Sequence, residues 1–393
     1  MSLKRKLLVI GGSYMNLQMK IDLASRDGSS VKGGEYRYHP FGDDAITAIA
    51  AAKLGGECVF STRFGDDING KRLYEYYKDC GISKKLMRKD TAAQTGLCLS
   101  LFDERGEYEN YISAGTSLRF TRGEIDEAFL TTPDLFLAPL SEIGYEERTV
   151  VVPVEQTPEE LMESAQSLMP ELLIETSEHP MEDDDGMKMK TEALEDSDNA
   201  EDSDKIISSE TVSSYIKQES LALYAVSKAE QQETDILLQY TPFTAQYPLE
   251  SMKHIKMLVV SDEMLYALTG FFPDNTDKTL RALVSLSQRV KAKYYIVQQG
   301  DDTVFVYDGN RYEIIKAPEA LRAGTREIGA KMKQTFIGAL AAEYLESKNI
   351  VRACRLAIAV SLLTRSKFGN LEKMMSRTEL EQYASEAGID IYR

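Results

Sequence analysis

Short apolar runs of strand length alternate with helix-length segments that close on glycine. This alternation limits the chain to a small set of folds. "KLLVIGG" carries a short apolar run into Gly11-Gly12. "DDAITAIAAAKLGG" follows as an alanine-rich helix with a glycine C-cap, then "CVFSTRFG" as a strand and "NGKRLYEYYKDCG" as a helix ended by Gly81. "DLFLAPL", "DILLQYTP" and "IKMLVVS" read as further buried strands, and "DEMLYALTG" and a segment near 277–292 as helices. The chain closes on long helices over Lys331–Lys348 and Ile350–Thr364 and a short terminal one. Strands and helices in alternation with short loops predict a parallel sheet covered on both faces.

Two stretches break the rhythm. "TGLCLSLFDERGEYENYIS" alternates apolar and polar residues around "DERGE", so it predicts a β-hairpin in a small accessory sheet, a lid, and not a buried parallel strand. "KYYIVQQGDDTVFVYDGNRYEIIKAP" reads as a second hairpin. In open α/β folds ligands sit at the carboxyl ends of the strands, where a lid can close over a small molecule.

The 393 residues carry a net charge of −17. It is concentrated: Glu175 to Asp204 holds thirteen acidic residues and two lysines. Such a segment cannot bury enough apolar surface to offset its ordering entropy. We read 148–208 as an acidic, mostly disordered insertion, with a short helix at Pro158–Leu173, dividing one domain into 1–147, which includes the lid, and 209–393. The insertion is either a solvated loop or an element that binds a protein partner. "SETVSSYIKQESLALYAVSKAEQ", Ser209–Gln231, predicts a helix after it.

The acidic balance argues against a nucleic-acid partner. No run of 18 apolar residues occurs, which argues against a membrane span, and the N-terminal run reads as a first strand instead of a signal peptide. Cys58, Cys80, Cys98 and Cys354 are scattered, as are His39, His179 and His254. The expectation is free thiols in a cytoplasmic chain, with no Cys/His zinc site.

Six segments, in order, resemble the ribokinase-like carbohydrate kinases of the PfkB family. "LVIGGSYMN" looks like the first strand and its sugar-facing turn, and "PFGDDAITAIAAAKLGG" is similar to the N-terminal signature. "RFGDDINGKRLYEYYKDCGI" matches the family's G-x-D-x-x-G segment. "TGLCLSLFDERGE" resembles the lid strand, "SAGTSLRFT" stands where the family has Gly-Ala-Asn, and "TFIGALAAEYLE" is similar to the tail of the C-terminal signature. The resemblance implies a three-layer α/β/α ribokinase-like sandwich with a small β-sheet lid. It also implies ATP-dependent phosphoryl transfer to a sugar or nucleoside hydroxyl with Mg-ATP, and a homodimer through the lid. Phosphoryl transfer needs positioning, charge stabilisation and a base. The family places that base, an aspartate, at the entrance of the C-terminal signature helix, just after glycine amides that form an anion hole at the positive helix end.

This sequence departs from the pattern there. Aligned without gaps on Thr335-Phe336-Ile337-Gly338, Gln334 stands at the base, and Lys331, Met332 and Lys333 stand at the glycines. A two-residue insertion would let Gly329-Ala330 supply a displaced Gly-Ala pair. A neutral amide orients a hydroxyl but does not deprotonate it near neutral pH. Ser261 and Met264 fall on the family's magnesium-linked Asn-x-x-Glu, with Asp262 and Glu263 between them as substitute ligands. Gln298, Gly300 and Thr303 fall on the nucleotide motif. On the substrate side Asn16 replaces an aspartate, Phe41 the first glycine and Thr47 the usual asparagine, while Gly42, Asp43 and Asp44 remain.

Some residues keep two or more readings. Asp43 and Asp44 either cap the helix they precede or hold substrate hydroxyls. Lys331 and Lys333, with Arg322 and Arg326, form a basic helix entrance. It holds a phosphate or an acidic ligand, contacts the chain's own acidic insertion, or is simply solvated. Two functions follow: a PfkB-type kinase with a rearranged site, or a catalytically silent pseudokinase that binds a small molecule or a protein as a regulator.

Overall fold

A computed structural model of the protein describes residues 5–21, 33–103, 108–153, 212–300, 302–323, 333–364 and 374–392. The chain divides into two compact units, Met1–Glu146 with Gln218–Arg393, and Glu147–Lys217.

In chain order the elements begin β1 (Lys6–Ile10), β2 (Tyr14–Ile21), β3 (Gly33–Phe41), α1 (Asp43–Lys53), β4 (Glu57–Gly65), α2 (Ile68–Asp79), β5 (Met87–Asp90), β6 (Gly96–Phe102) and β7 (Tyr108–Ser113). Next come α3 (Arg122–Phe129), β8 (Leu135–Leu137), β9 (Tyr145–Pro153), β10 (Val212–Ser220), α4 (Leu221–Gln231), β11 (Ile236–Gln239), β12 (Ile255–Ser261), α5 (Asp262–Thr269) and α6 (Thr276–Arg289). The remainder is β13 (Ala292–Gln299), β14 (Thr303–Tyr307), β15 (Tyr312–Lys316), α7 (Glu319–Ala323), α8 (Lys333–Ser347), α9 (Ile350–Leu363) and α10 (Arg377–Glu386).

The main sheet runs β15-β14-β13-β12-β11-β8-β1-β4-β5. It is parallel from β5 to β13, and β14 and β15 are added antiparallel. β1 shows why the sheet has helices on both faces. Leu7, Leu8, Val9 and Ile10 are all fully buried, which an alternating strand permits only if both faces are covered. Leu7 and Val9 pack with α1, α8 and α9. Leu8 and Ile10 pack with α3, α4, α5 and α6. The architecture is therefore the expected three-layer sandwich.

The four-stranded lid is ordered β3-β2-β6-β7. The expected hairpin is its β6–β7 pair, in register from Leu97 opposite Ser113 to Phe102 opposite Tyr108. β2 and β3 complete the sheet and were not anticipated. The segment read as one C-terminal hairpin is three strands, β13 to β15.

One expectation is corrected. Helix over Ser209–Gln231 begins only at Leu221; Val212–Ser220 is strand, paired with β9 in a separate two-stranded sheet. The sequence "VSSYIKQES" explains the switch, because serine, valine, tyrosine and isoleucine lower helix propensity and several of them favour strands. Ser220 then caps α4 by accepting from the Leu223 N–H. The interior of the expected acidic insertion, with the Pro158–Leu173 helix, lies outside the described residues.

Helix α8 has no polar side: Thr335 through Leu345 are all buried. It lies between α1 and α9 against the sheet. Gly338 permits the crossing with α1, since a Cβ there would overlap the Thr47 carbonyl oxygen and the Ala50 side chain. At the far end of α8, the wholly buried Glu343 accepts from Arg352 Nε at 2.5 Å and from Arg377 Nη1 at 2.7 Å, tying α9 and α10 to the bundle.

Gly338→Ala is expected to destabilise the chain by about 1–3 kcal/mol through overpacking, despite alanine's better helix propensity. Urea unfolding of the variant beside the wild type measures this; equal midpoints would mean that α1 and α8 are not in close contact.

Candidate active site

The carboxyl ends of β12 and β13 open into a cleft. Ser261, Asp262 and Glu263 line it from the start of α5, Gln298 and Gly300 from the end of β13, and Thr303 from β14. Lys333, the first residue of α8, also lines it, with Val304, Phe336, Ile358 and Ser361 as the remaining wall. Ser261, Asp262 and Glu263 from the metal positions, Gln298, Gly300 and Thr303 from the nucleotide motif, and one of the two lysines are therefore gathered in one cleft, whereas Met264 packs against the core. Sequence position explains this in part, because a parallel strand delivers the residue at its carboxyl end to the same edge as its neighbours.

Local bonding holds the rim. Ser261 caps α5 through its hydroxyl, which accepts from the Met264 N–H at 3.3 Å. Asp262 Oδ2 accepts from the Gly300 N–H at 3.2 Å. Gly300 has φ 54°, the left-handed region in which glycine is at ease, so it turns the chain out of β13 while aiming its N–H at α5. Asp262 and Glu263 occupy the first turn of α5, where the helix dipole favours negative charge.

A second cluster lies at the root of the lid. Asn16 is fully buried; its Oδ1 accepts from the Ser100 hydroxyl at 3.0 Å, and its Nδ2 lies 3.4 Å from His39 Nε2. His39 Nδ1 lies 2.8 Å from the Pro40 carbonyl oxygen. Facing a carbonyl oxygen, Nδ1 is the donor of that pair. Asn16, Cys98 and His39 share one face of the lid sheet with Ser100 and Asn110, as the registers require. Sequence reasoning named Asn16 and missed its partners; the period-two spacing of Cys98 and Ser100 was the available signal.

Gly42 stands at the N-cap of α1 with φ 115° and no side chain to cap it, its backbone against the Gly12 carbonyl and the Tyr14 ring. Neither Asp43 nor Asp44 caps α1 by a side-chain hydrogen bond. Asp44 is fully buried against Gly11. Its Oδ1 accepts from the Leu140 N–H at 2.9 Å and its Oδ2 from the Ser141 hydroxyl at 2.8 Å. It thus pins the loop after β8 to α1. Burial nevertheless pushes its carboxyl up to about 7, with those two hydrogen bonds opposing the shift. Asp43 is partly open to solvent although protein crowds it, and desolvation raises it to about 6.

Thr47, expected to meet substrate, is fully buried in the α1–α8 contact instead of a pocket. Its hydroxyl donates to the Asp43 carbonyl at 2.9 Å and lies 3.4 Å from the Gln334 carbonyl. The first turns of α1 and α8 therefore adjoin, which brings the lid-root cluster and the head of α8 to the same place. Gly329, Ala330 and Lys331 lie outside the described residues. Among the described residues no group of three or more His, Cys, Asp or Glu side chains is arranged to hold a metal ion, and no helix is long and apolar enough to cross a membrane.

Known proteins share both the architecture and part of the sequence. A ribokinase of Arabidopsis thaliana, solved with ribose and ATP, superposes with a TM-score of 0.65 at 14% identity, covering 97% of this chain and 98% of that one. A ribokinase from Thermotoga maritima superposes at 0.63 with 18% identity, covering 98% and 100%. The fold is ribokinase-like. Residues 4–166 match the model of the pfkB family carbohydrate kinases. The ribokinase of Dictyostelium discoideum is 24% identical over 126 residues, 32% of this chain. The alignment spans 40% of that relative's length, well under two thirds.

The Asp44 carboxyl gives a measurable consequence. Its value is raised in the fold above the ordinary 3.8, so the folded state holds a proton that the unfolded chain releases. The stability this contributes is complete below about pH 4 and is lost as pH rises through about 7. Asp44→Asn keeps an acceptor for Leu140 and a polar partner for Ser141 without the charge. Thermal midpoints recorded from pH 5 to 8 are expected to fall with pH in the wild type and to fall less in the variant; parallel curves would exclude Asp44 as the group responsible.

Proposed function

We propose that the chain is an ATP-dependent phosphotransferase that acts on a hydroxyl of a sugar or nucleoside. One observation carries the reading: Ser261, Asp262 and Glu263 from the metal positions and the residues at the expected nucleotide positions line a single cleft with Lys333 at the head of α8. Magnesium takes one or two carboxylates and completes its shell with water and substrate phosphates, a donor set that Asp262 and Glu263 fit. Bound there, the ion would neutralise charge on the transferring phosphoryl group. Lys333, with Lys331 and the Gly329-Ala330 pair preceding it, would attract the phosphates by side-chain charge in place of amides alone. Gln298, Gly300 and Thr303 would form the nucleotide wall. Gly42, Asp43 and the Asn16 cluster beneath the lid would form the acceptor side, with Asp44 and Thr47 shaping it from behind.

Gln334 favours a second reading. An amide at the base position is expected to lower the rate by about 10²–10⁴-fold if nothing replaces the base, and the chain would then be a silent binding regulator. ADP release measured over a panel of sugars and nucleosides, with a thermal shift by Mg-ATP, separates the two. We expect turnover with at least one acceptor at or above about 1 s⁻¹. A Mg-ATP shift without turnover would establish the silent reading, and neither signal would overturn both.

The apolar face of the lid supports a homodimer. Leu17, Leu97, Leu99, Tyr36, Tyr38 and Tyr111 share the face opposite Asn16, and Tyr36, Tyr38, Leu97 and Tyr111 are exposed. Apolar patches of this kind mark interaction surfaces, and a second lid is a self-complementary occupant. Sedimentation equilibrium is expected to give a dimer for the wild type and a monomer for Leu97→Glu with Tyr38→Glu; a monomeric wild type would contradict it. The acidic insertion is proposed as the site for a protein partner.

A further inference from the structure

Gln334 has no useful basicity, so an acceptor hydroxyl needs its proton taken by another group. The Thr47 hydroxyl, which binds the Asp43 carbonyl and lies 3.4 Å from the Gln334 carbonyl, fixes the first turn of α1 beside the first turn of α8. Gly338 keeps the helices at that separation. A carboxylate at the start of α1 is therefore close to where an acid at the start of α8 would stand. Asp43 is the first residue of α1, and its neighbour Asp44 is fully occupied by Leu140 and Ser141. Among the described residues the Asp43 carboxylate takes no hydrogen bond or ion pair, and it remains partly open to solvent.

We propose that Asp43 is the general base of this site. The inference rests on the phosphotransferase reading. Asp43 removes the proton from the acceptor hydroxyl as that oxygen bonds to the γ-phosphorus of ATP. The bond from the γ-phosphorus to the β–γ bridging oxygen breaks, and ADP leaves with its electron pair. The proton stays on the Asp43 carboxyl and passes to water after product release.

The surroundings suit the role. Asp43 interacts electrostatically with Asp44 on α1 and with Tyr14 on β2, and Lys333 opens the adjoining helix α8. Tyr14 is buried and its hydroxyl is raised above its ordinary value by desolvation, so it stays neutral. Desolvation brings Asp43 to about 6, near the working range of a base at neutral pH.

The test compares wild type, Asp43→Asn, Asp43→Glu and the double variant Asp43→Asn with Gln334→Asp, each checked for folding by circular dichroism. Wild-type kcat is expected to fall below about pH 6. Asp43→Asn is expected to lose about 10²–10⁴-fold in kcat and the acid limb with it, with KM little changed. Asp43→Glu should retain part of the rate. The double variant should recover at least about tenfold over Asp43→Asn, because an acid is restored on the facing helix turn. A folded Asp43→Asn that keeps the wild-type kcat and acid limb overturns the assignment alone. A wild type with no turnover overturns the phosphotransferase reading and this inference together.

Discussion

The contact between α1 and α8 sets the geometry on which the site depends. Glycine at 338 removes the one side chain that would hold the helices apart, and the facing surface of α1 is built from alanines and the Thr47 backbone. Close approach aligns the two first turns, and Thr47 fastens them with a hydroxyl that serves two carbonyls. Both helices point their amino ends at the same region. Two helix dipoles converging there favour anions, whichever side chains are present. The field of the two helix ends is thus a property of the packing, whichever side chains stand there.

That field explains how charge can be rearranged without loss of the cleft. The chain carries net charge −17, yet the head of α8 places a lysine in the cleft that Asp262 and Glu263 line. Carboxylates on the α5 side suit a hydrated cation, while a lysine on the α8 side suits phosphate oxygens. A lysine positions a phosphate less rigidly than backbone amides, because its four-carbon stem is flexible. Binding should therefore survive the substitution better than transition-state stabilisation, which depends on preorganised donors.

The sequence made the scaffold legible because burial on both faces leaves a mark in every central strand. "KLLVI" and "KMLVVS" have no polar side, and "AITAIAAAK" has the small residues that a close crossing needs. The lid was half legible: β6 and β7 alternate clearly, whereas β2 and β3 mix Met, Gln, Tyr and Arg and are defined by pairing. Val212–Ser220 was misread because its polar and aliphatic residues are compatible with a helical spacing until β9 supplies a partner. Asp262, Gln298 and Gly300 line one cleft, since chain position fixes which edge of the sheet they reach. Thr47 and Asn16 could be aligned, but their accessibility could not be read. Thr47 turns toward α8 and Asn16 closes on Ser100 and His39, and both outcomes depend on residues remote in sequence.

Asp43 and Asp44 show the same limit at its sharpest. They are adjacent, chemically identical and on the first turn of one helix, so local sequence offers no basis for telling them apart. About 100° of helix rotation separates them, and this places them in different surroundings. Asp44 turns into the interior, where Leu140 and Ser141 bind both oxygens and make it a structural tie. Asp43 stays at the margin, crowded enough to lose hydration but with no protein donor to compensate. A carboxylate in that state gains more from accepting a proton than a solvated one does, which is what base chemistry requires. The division of roles comes from the direction in which α1 leaves Gly42. That direction is set by a left-handed glycine and a tyrosine ring against it, not by either aspartate.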